Sequence, residues 1–150
     1  MKITSNAFEK DLSIPERYTC EGENISPPLS FSEVPQEAKS LVLMIEDPDA
    51  PAKPWVHWLV FNIPPHTKSF EENSIPLGAI EGLCNGNTFG YEGPCPPERE
   101  HRYFFKLYAL DKVLKIPNES NRTTVLKEME GHIIAHAQLI GKYKKAKAVV

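Results

Sequence analysis

Prolines make up 14 of the 150 residues, about twice average usage, and they are spread along the whole chain instead of being gathered into one linker. Each proline fixes φ and removes a backbone donor, so it interrupts helices and central strands and favours corners. The distribution therefore points to many rigid turns within one fold.

Between the corners, three segments read as strands: Ser40 to Glu46, Val56 to Ile63 and His101 to Leu110. Each is rich in β-branched or aromatic residues and bounded by Pro, Gly or Asp. Leu41-Val42-Leu43-Met44-Ile45 is apolar at both parities, the pattern of a strand covered on both faces. Shorter candidates lie at Ile3 to Ala7, Leu29 to Phe31 and Tyr143 to Val149. In the C-terminal third the period changes. Val125, Met129, Ile133, Ala137 and Ile140 recur at three- or four-residue steps behind the capping candidate Asn121, which predicts two short helices divided by Gly131. The expected fold is mainly β: a Greek-key β-sandwich with a few short peripheral helices, two of them near the C-terminus.

A chain of this length with 41% hydrophobic residues can bury about two thirds of its unfolded surface, so one domain over residues 1–150 needs no staple. A net charge of -3 excludes long-range attraction to nucleic acid or to an anionic membrane. No apolar run is long enough for a signal peptide or a membrane span. Cys20, Cys84 and Cys95 cannot all pair within one chain and lack metal-ligand spacing, which predicts free thiols in a reducing cytoplasm, with no metal and no cofactor.

The candidate chemistry sits at strand ends. Side-chain alternation puts His57 on one face with Leu59 and Phe61, opposite Val56, Trp58 and Val60. His101 and Tyr103 share a face at the start of the third strand, about 7 Å apart, a separation that can bracket one small anion. Asp47-Pro48-Asp49-Ala50-Pro51 ends the buried run with two carboxylates on a stiff loop. In Gly93-Pro94-Cys95-Pro96-Pro97 the backbone donors are Gly93 and Cys95 alone. Singly, each feature has an ordinary structural reading. Two His, one Tyr and two carboxylates together at the ends of central strands point to a pocket.

These residues carry a family resemblance. Asp47-Pro48-Asp49-Ala50-Pro51, Trp55-Val56-His57-Trp58, Gly93-Pro94-Cys95-Pro96-Pro97 and His101-Arg102-Tyr103 follow in an order and spacing similar to those of the phosphatidylethanolamine-binding proteins, which include the animal Raf kinase inhibitor and plant flowering regulators. Tyr18 to Leu29 and Gly131 to Ala137 resemble the bacterial and archaeal branch. The resemblance implies a β-sandwich with a shallow anion pocket formed by Asp47, His57, the Cys95–Pro96 backbone, His101 and Tyr103. Asp49, Pro51, Trp55, Gly93 and Arg102 would form its supporting shell. Glu98-Arg99-Glu100 departs from the bacterial pattern at the rim and bears on which anions enter.

A phosphate needs donors, so Asp47 is expected to accept from one imidazole, favouring its protonated form and turning the other ring nitrogen to the anion. Arg102, on the opposite parity, is expected to be a buried or semi-buried brace to Asp49 or Asp47. The implied function is non-catalytic binding of a phosphate-bearing small molecule or phosphorylated group, with regulation of a kinase or protease, or a homodimer, compatible with it. The alternative is an esterase-like hydrolase using Asp47 and the His pair with Cys95 or water as nucleophile. A zinc site of Asp47, His57, His101 and Cys95 lacks any close ligand pair, and His132 and His136, four apart on an expected helix, lack the intervening Glu of a zinc protease.

Overall fold

In a computed structural model, which describes residues 1–52 and 54–146, the doubly apolar run at 41–45 forms the middle of the molecule. It lies in β3 (Ser40–Asp47), every residue of which is buried. Antiparallel neighbours flank it, β4 (Trp55–Ile63) on one side and β7 (His101–Leu110) on the other. With β6 (Ile80–Glu81) beyond β4 and β8 (Ile133–Tyr143) beyond β7, the sheet has five strands in the order β6-β4-β3-β7-β8. A second sheet of three strands, β1 (Lys2–Thr4), β2 (Leu29–Ser32) and β5 (Ser69–Phe70), has the order β1-β2-β5. One α-helix, α1 (Arg122–Met129), and a 3-10 turn at Glu16–Tyr18 complete the described elements.

The two parities of β3 serve two cores. Leu41, Leu43 and Ile45 meet Trp58, Phe105 and Leu107 within their own sheet, and Leu29, Phe31 and Phe70 from the smaller sheet complete that core. Val42 and Met44 join Leu59, Phe61, Leu114, Val125 and Met129, which brings α1 onto the outer face. Each such fully buried side chain contributes roughly 2 kcal/mol, so a polar residue at either parity would be costly. No helix among the described residues is long and apolar enough to cross a membrane.

The two-helix expectation holds only for its first half. Asn121 does cap α1, its side chain accepting from Thr124 N–H at 3.1 Å. After Met129, however, Gly131 takes a positive φ of 77° and the chain turns into β8. Ile133, Ala137 and Ile140 are therefore strand residues, paired with Leu110, Leu107 and Phe104. His136 stands in the same strand, and His132 lies in the turn before it, bonded through Nδ1 to Asp111 at 2.7 Å. The strand expected over Tyr143 to Val149 is met by β8 at Tyr143, while residues 147–149 lie outside the described residues.

The thiols also differ from expectation. Cys20 and Cys95 form a disulfide across 75 residues of sequence, leaving Cys84 free and buried. A reducing compartment argued from three free thiols loses that footing.

Candidate functional site

The geometry at one end of the large sheet begins with an irregularity in β4. Ile45 pairs with Trp58 and Glu46 with Val56, so His57 is the extra residue of a β-bulge. The bulge resets the alternation: Val56 joins Leu59 and Phe61 in the helix-side core, while Trp58 belongs to the core between the sheets. His57 follows Trp58, not Leu59 and Phe61 as simple parity requires, and its ring meets the Tyr103 ring edge-on at 5.2 Å.

Around it gather the end of β3, the turn that follows, the proline loop and the start of β7. They enclose a cavity of about 250 Å³ lined by Asp47, Pro51, Trp55, His57, Gly93, Cys95, Pro96, His101 and Tyr103, with Ala50, Glu92 and Pro97 besides. The rings of His101 and Tyr103 stand 6.5 Å apart, close to the separation that strand geometry gives. Glu92 has no signal in the sequence, because what it offers is its main chain. Its carbonyl accepts from His57 Nδ1–H at 2.7 Å and its N–H donates to the His57 carbonyl at 3.0 Å.

Asp47 and His101, both nearly inaccessible, form the second anchored pair, with Nδ1–H donating to Oδ2 at 2.6 Å. The other carboxylate oxygen accepts the Asp49 N–H at 2.8 Å, a turn that locks the Asp47 rotamer. Both imidazoles thus spend Nδ1 on a protein oxygen. No side-chain nitrogen or oxygen among the described residues is both sealed from solvent and unpartnered, so the two Nε2 atoms, which have no partner among those residues, open into the cavity. Burial holds His57 below the ordinary imidazole range; the Glu92 carbonyl and the Asp47 charge oppose this only in part. The Tyr103 hydroxyl is pushed well above its ordinary range, first by burial and then by Asp47 and Asp49.

Asp49 and Arg102 stand outside the cavity wall. Arg102 donates to Asp49 from its backbone N–H at 2.9 Å, from Nε at 3.0 Å and from Nη2 at 2.9 Å. This holds the Asp49 carboxyl at about 2. Asp49 is thus the partner of the expected brace, but Arg102 is half exposed, at 51%, not buried. Alternation on β7 turns it to the solvent side, where it also lies over the Phe104 ring. The clamp fixes the turn that orients Asp47.

Residues 4–144 match the family model for the phosphatidylethanolamine-binding proteins. A protein of Methanothermobacter thermautotrophicus called UPF0098 is 51% identical, over 97% of this chain and 99% of its own. Its namesake in Chlamydia trachomatis is 47% identical, over 97% of this chain and 99% of its own. Among solved structures, the phosphatidylethanolamine-binding protein homologue CT736 from Chlamydia trachomatis superposes with a TM-score of 0.93 at 46% identity, covering 97% of both chains. Escherichia coli YbcL, described as a member of the mammalian family, gives 0.90 at 30% identity, over 97% of this chain and 98% of its own. The chain belongs to the phosphatidylethanolamine-binding protein family.

Proposed function

We propose that the chain is a non-catalytic binding protein whose cavity takes a small oxyanion, a phosphate or phosphate monoester, together with a proton. The observation that carries this reading is the pair of imidazoles anchored through Nδ1 on the Glu92 carbonyl and the Asp47 carboxylate, with both Nε2 atoms facing one cavity. A ring whose Nδ1–H is so engaged offers a lone pair at Nε2 when neutral and a donor only when protonated. An anion is repelled by the first state and held by the second. His57, kept neutral by burial, gains its proton when the anion arrives. A further donor is the Tyr103 hydroxyl, whose oxygen has the Cys95 N–H beside it.

Size and walls narrow the ligand. About 250 Å³ admits a headgroup such as phosphoethanolamine and leaves no room for two acyl chains. Pro51, Trp55, Pro96 and Pro97 offer apolar surface for an organic substituent. A regulated kinase or protease would meet the exposed Glu98, Arg99 and Glu100 at the rim. The hydrolase alternative loses its thiol nucleophile, because the Cys95 sulfur is bonded to Cys20. Cys84 is buried in the helix-side core with its thiol pushed up to about 11.

Thermal shifts with inorganic phosphate, phosphoethanolamine and a nucleotide, run from about pH 5 to 8, test the reading. Each small anion should stabilise the wild type, most at low pH, and the shift should vanish in His57→Ala. A response that stays flat across that range removes the proton from the proposal. Silence toward every anion removes the pocket.

A further inference from the structure

The Cys20–Cys95 disulfide joins the loop after the 3-10 turn to the wall of the cavity, and its two ends are held very differently. On the Cys20 side and up to Pro94 the packing is dense without any cross-link. Cys20 N–H donates to the Pro94 carbonyl at 3.1 Å, and Gly93 N–H to Asn24 Oδ1 at 2.8 Å. A Cβ on Gly93 would lie 2.4 Å from the Tyr18 carbonyl oxygen, which shows how closely the two loops touch. Tyr91 adds a bond from its hydroxyl to that same carbonyl at 2.6 Å.

Beyond Cys95 the holding is sparse. Apart from the Cys95 amide beside the Tyr103 hydroxyl, the described hydrogen bonds of residues 95–100 come down to Arg99 Nη2 on the Asp49 carbonyl at 3.4 Å. Pro96 and Pro97 have no N–H with which to gain a substitute. The next firm point is β7, where Arg102 N–H meets Asp49. The stretch that supplies Cys95, Pro96 and Pro97 to the cavity is therefore tied at its near end by one covalent bond, with the Cys95 amide and the buried Pro96 ring as its remaining hold. Both cysteines are exposed, so that bond is open to a soluble thiol.

We propose that the Cys20–Cys95 disulfide is a redox latch on the anion cavity: closed, it holds the proline wall in place for binding, and opened by a dithiol reductant it releases residues 95–100 and weakens the site. The step is thiol–disulfide exchange. A thiolate of the reductant attacks one sulfur, the S–S bond breaks, and the reductant closes to its own disulfide. Two electrons and two protons thereby pass to Cys20 and Cys95, which become thiols. The latch rests on the anion reading for its ligand, but not for its mechanics.

Two measurements on the whole chain keep those parts distinguishable: titration with inorganic phosphate, and amide hydrogen exchange. They are made on the oxidised wild type, the wild type after dithiothreitol, and Cys20→Ser, whose altered side chain is not part of the cavity wall. Phosphate affinity should fall by about tenfold or more in the second and third samples and return on reoxidation of the wild type. The Cys95 amide, the one protected donor of the stretch, should exchange faster, while those of β3 and β7 keep their protection. Equal exchange at the Cys95 amide in oxidised and fully reduced protein overturns the latch, as does loss of protection throughout the large sheet, which would make the bond a global staple. Oxidised protein that ignores phosphate refutes the anion reading and the latch's effect on binding, while exchange still decides whether the loop is released. Unchanged affinity beside faster exchange refutes control of the cavity.

Discussion

Glu46 and Asp47 are neighbours on β3, each 3% exposed, and alternation sends them to opposite faces of the same sheet. Glu46 goes to the outer face and is met by full cations, Arg122 through Nε at 3.1 Å and Lys106 at 3.5 Å. Asp47 goes to the cavity side and is met by one imidazole and one backbone N–H. The first carboxylate is neutralised by two cations on the outer face. The partner of the second has its other ring nitrogen turned to an open space. Equal burial thus produces a structural ion pair on one face and a site with unspent hydrogen-bonding capacity on the other.

Breaking the structural side should have the largest effect on the fold and the least on binding. Arg122→Ala leaves the Glu46 carboxylate buried with only the more distant Lys106, and a loss of about 2 to 3 kcal/mol is expected, readable as a lower urea midpoint. Phosphate affinity should stay within about twofold; a larger change would show that the two faces are coupled. Asp47→Asn should invert the pattern. An amide still accepts from Asp49 N–H, but it no longer holds the His101 proton on Nδ1, so the ring can switch tautomer and donate from Nε2 while neutral. Phosphate binding at pH 6 is expected to weaken by about tenfold, roughly 1.4 kcal/mol, with a shallower pH dependence than that of the wild type. An unaltered pH slope would show that Asp47 does not control the proton.

This contrast was partly legible in the residues alone. β7 runs from His101 to Leu110 as its composition indicates, and β3 and β4 extend the expected strands by one residue each, because long β-branched and aromatic runs between proline corners admit little else. What escaped was anything depending on partners distant in sequence. The bulge at His57 is a mismatch of register between two strands, and neither strand shows it by itself. The Glu92 carbonyl is invisible because every residue has one. With three cysteines there are three possible pairs, and spacing does not choose among them. In β8 the helical period at Ile133, Ala137 and Ile140 competes with a weaker alternation. Ala135, Ala137, Leu139, Gly141 and Tyr143 are small or apolar and face inward at a period of two. The small ones leave room for Phe8 and Ile14, which a Cβ on Gly141 would strike at 2.8 and 2.6 Å.

The Asp49–Arg102 clamp supports the Asp47 turn from the solvent side, and it should have the smallest effect of the three. The carboxyl is held at about 2 in the folded chain, mainly by the guanidinium, against an ordinary value of 3.8. A depressed folded value means that the unfolded chain takes up its proton first as the solution is acidified. The contribution is therefore present in full above about pH 5 and fades as pH falls from about 4 through 2. Because Arg102 is half exposed and solvent screens the pair, Asp49→Asn should cost less than about 1 kcal/mol at pH 7. The difference in urea stability between wild type and variant should shrink steadily toward pH 2, whereas at pH 7 phosphate affinity should drop only slightly through a looser Asp47. A stability difference constant from pH 7 to pH 2 would mean that Asp49 acts through its turn geometry alone. The charge of Arg102 would then be dispensable to the cavity it stands behind.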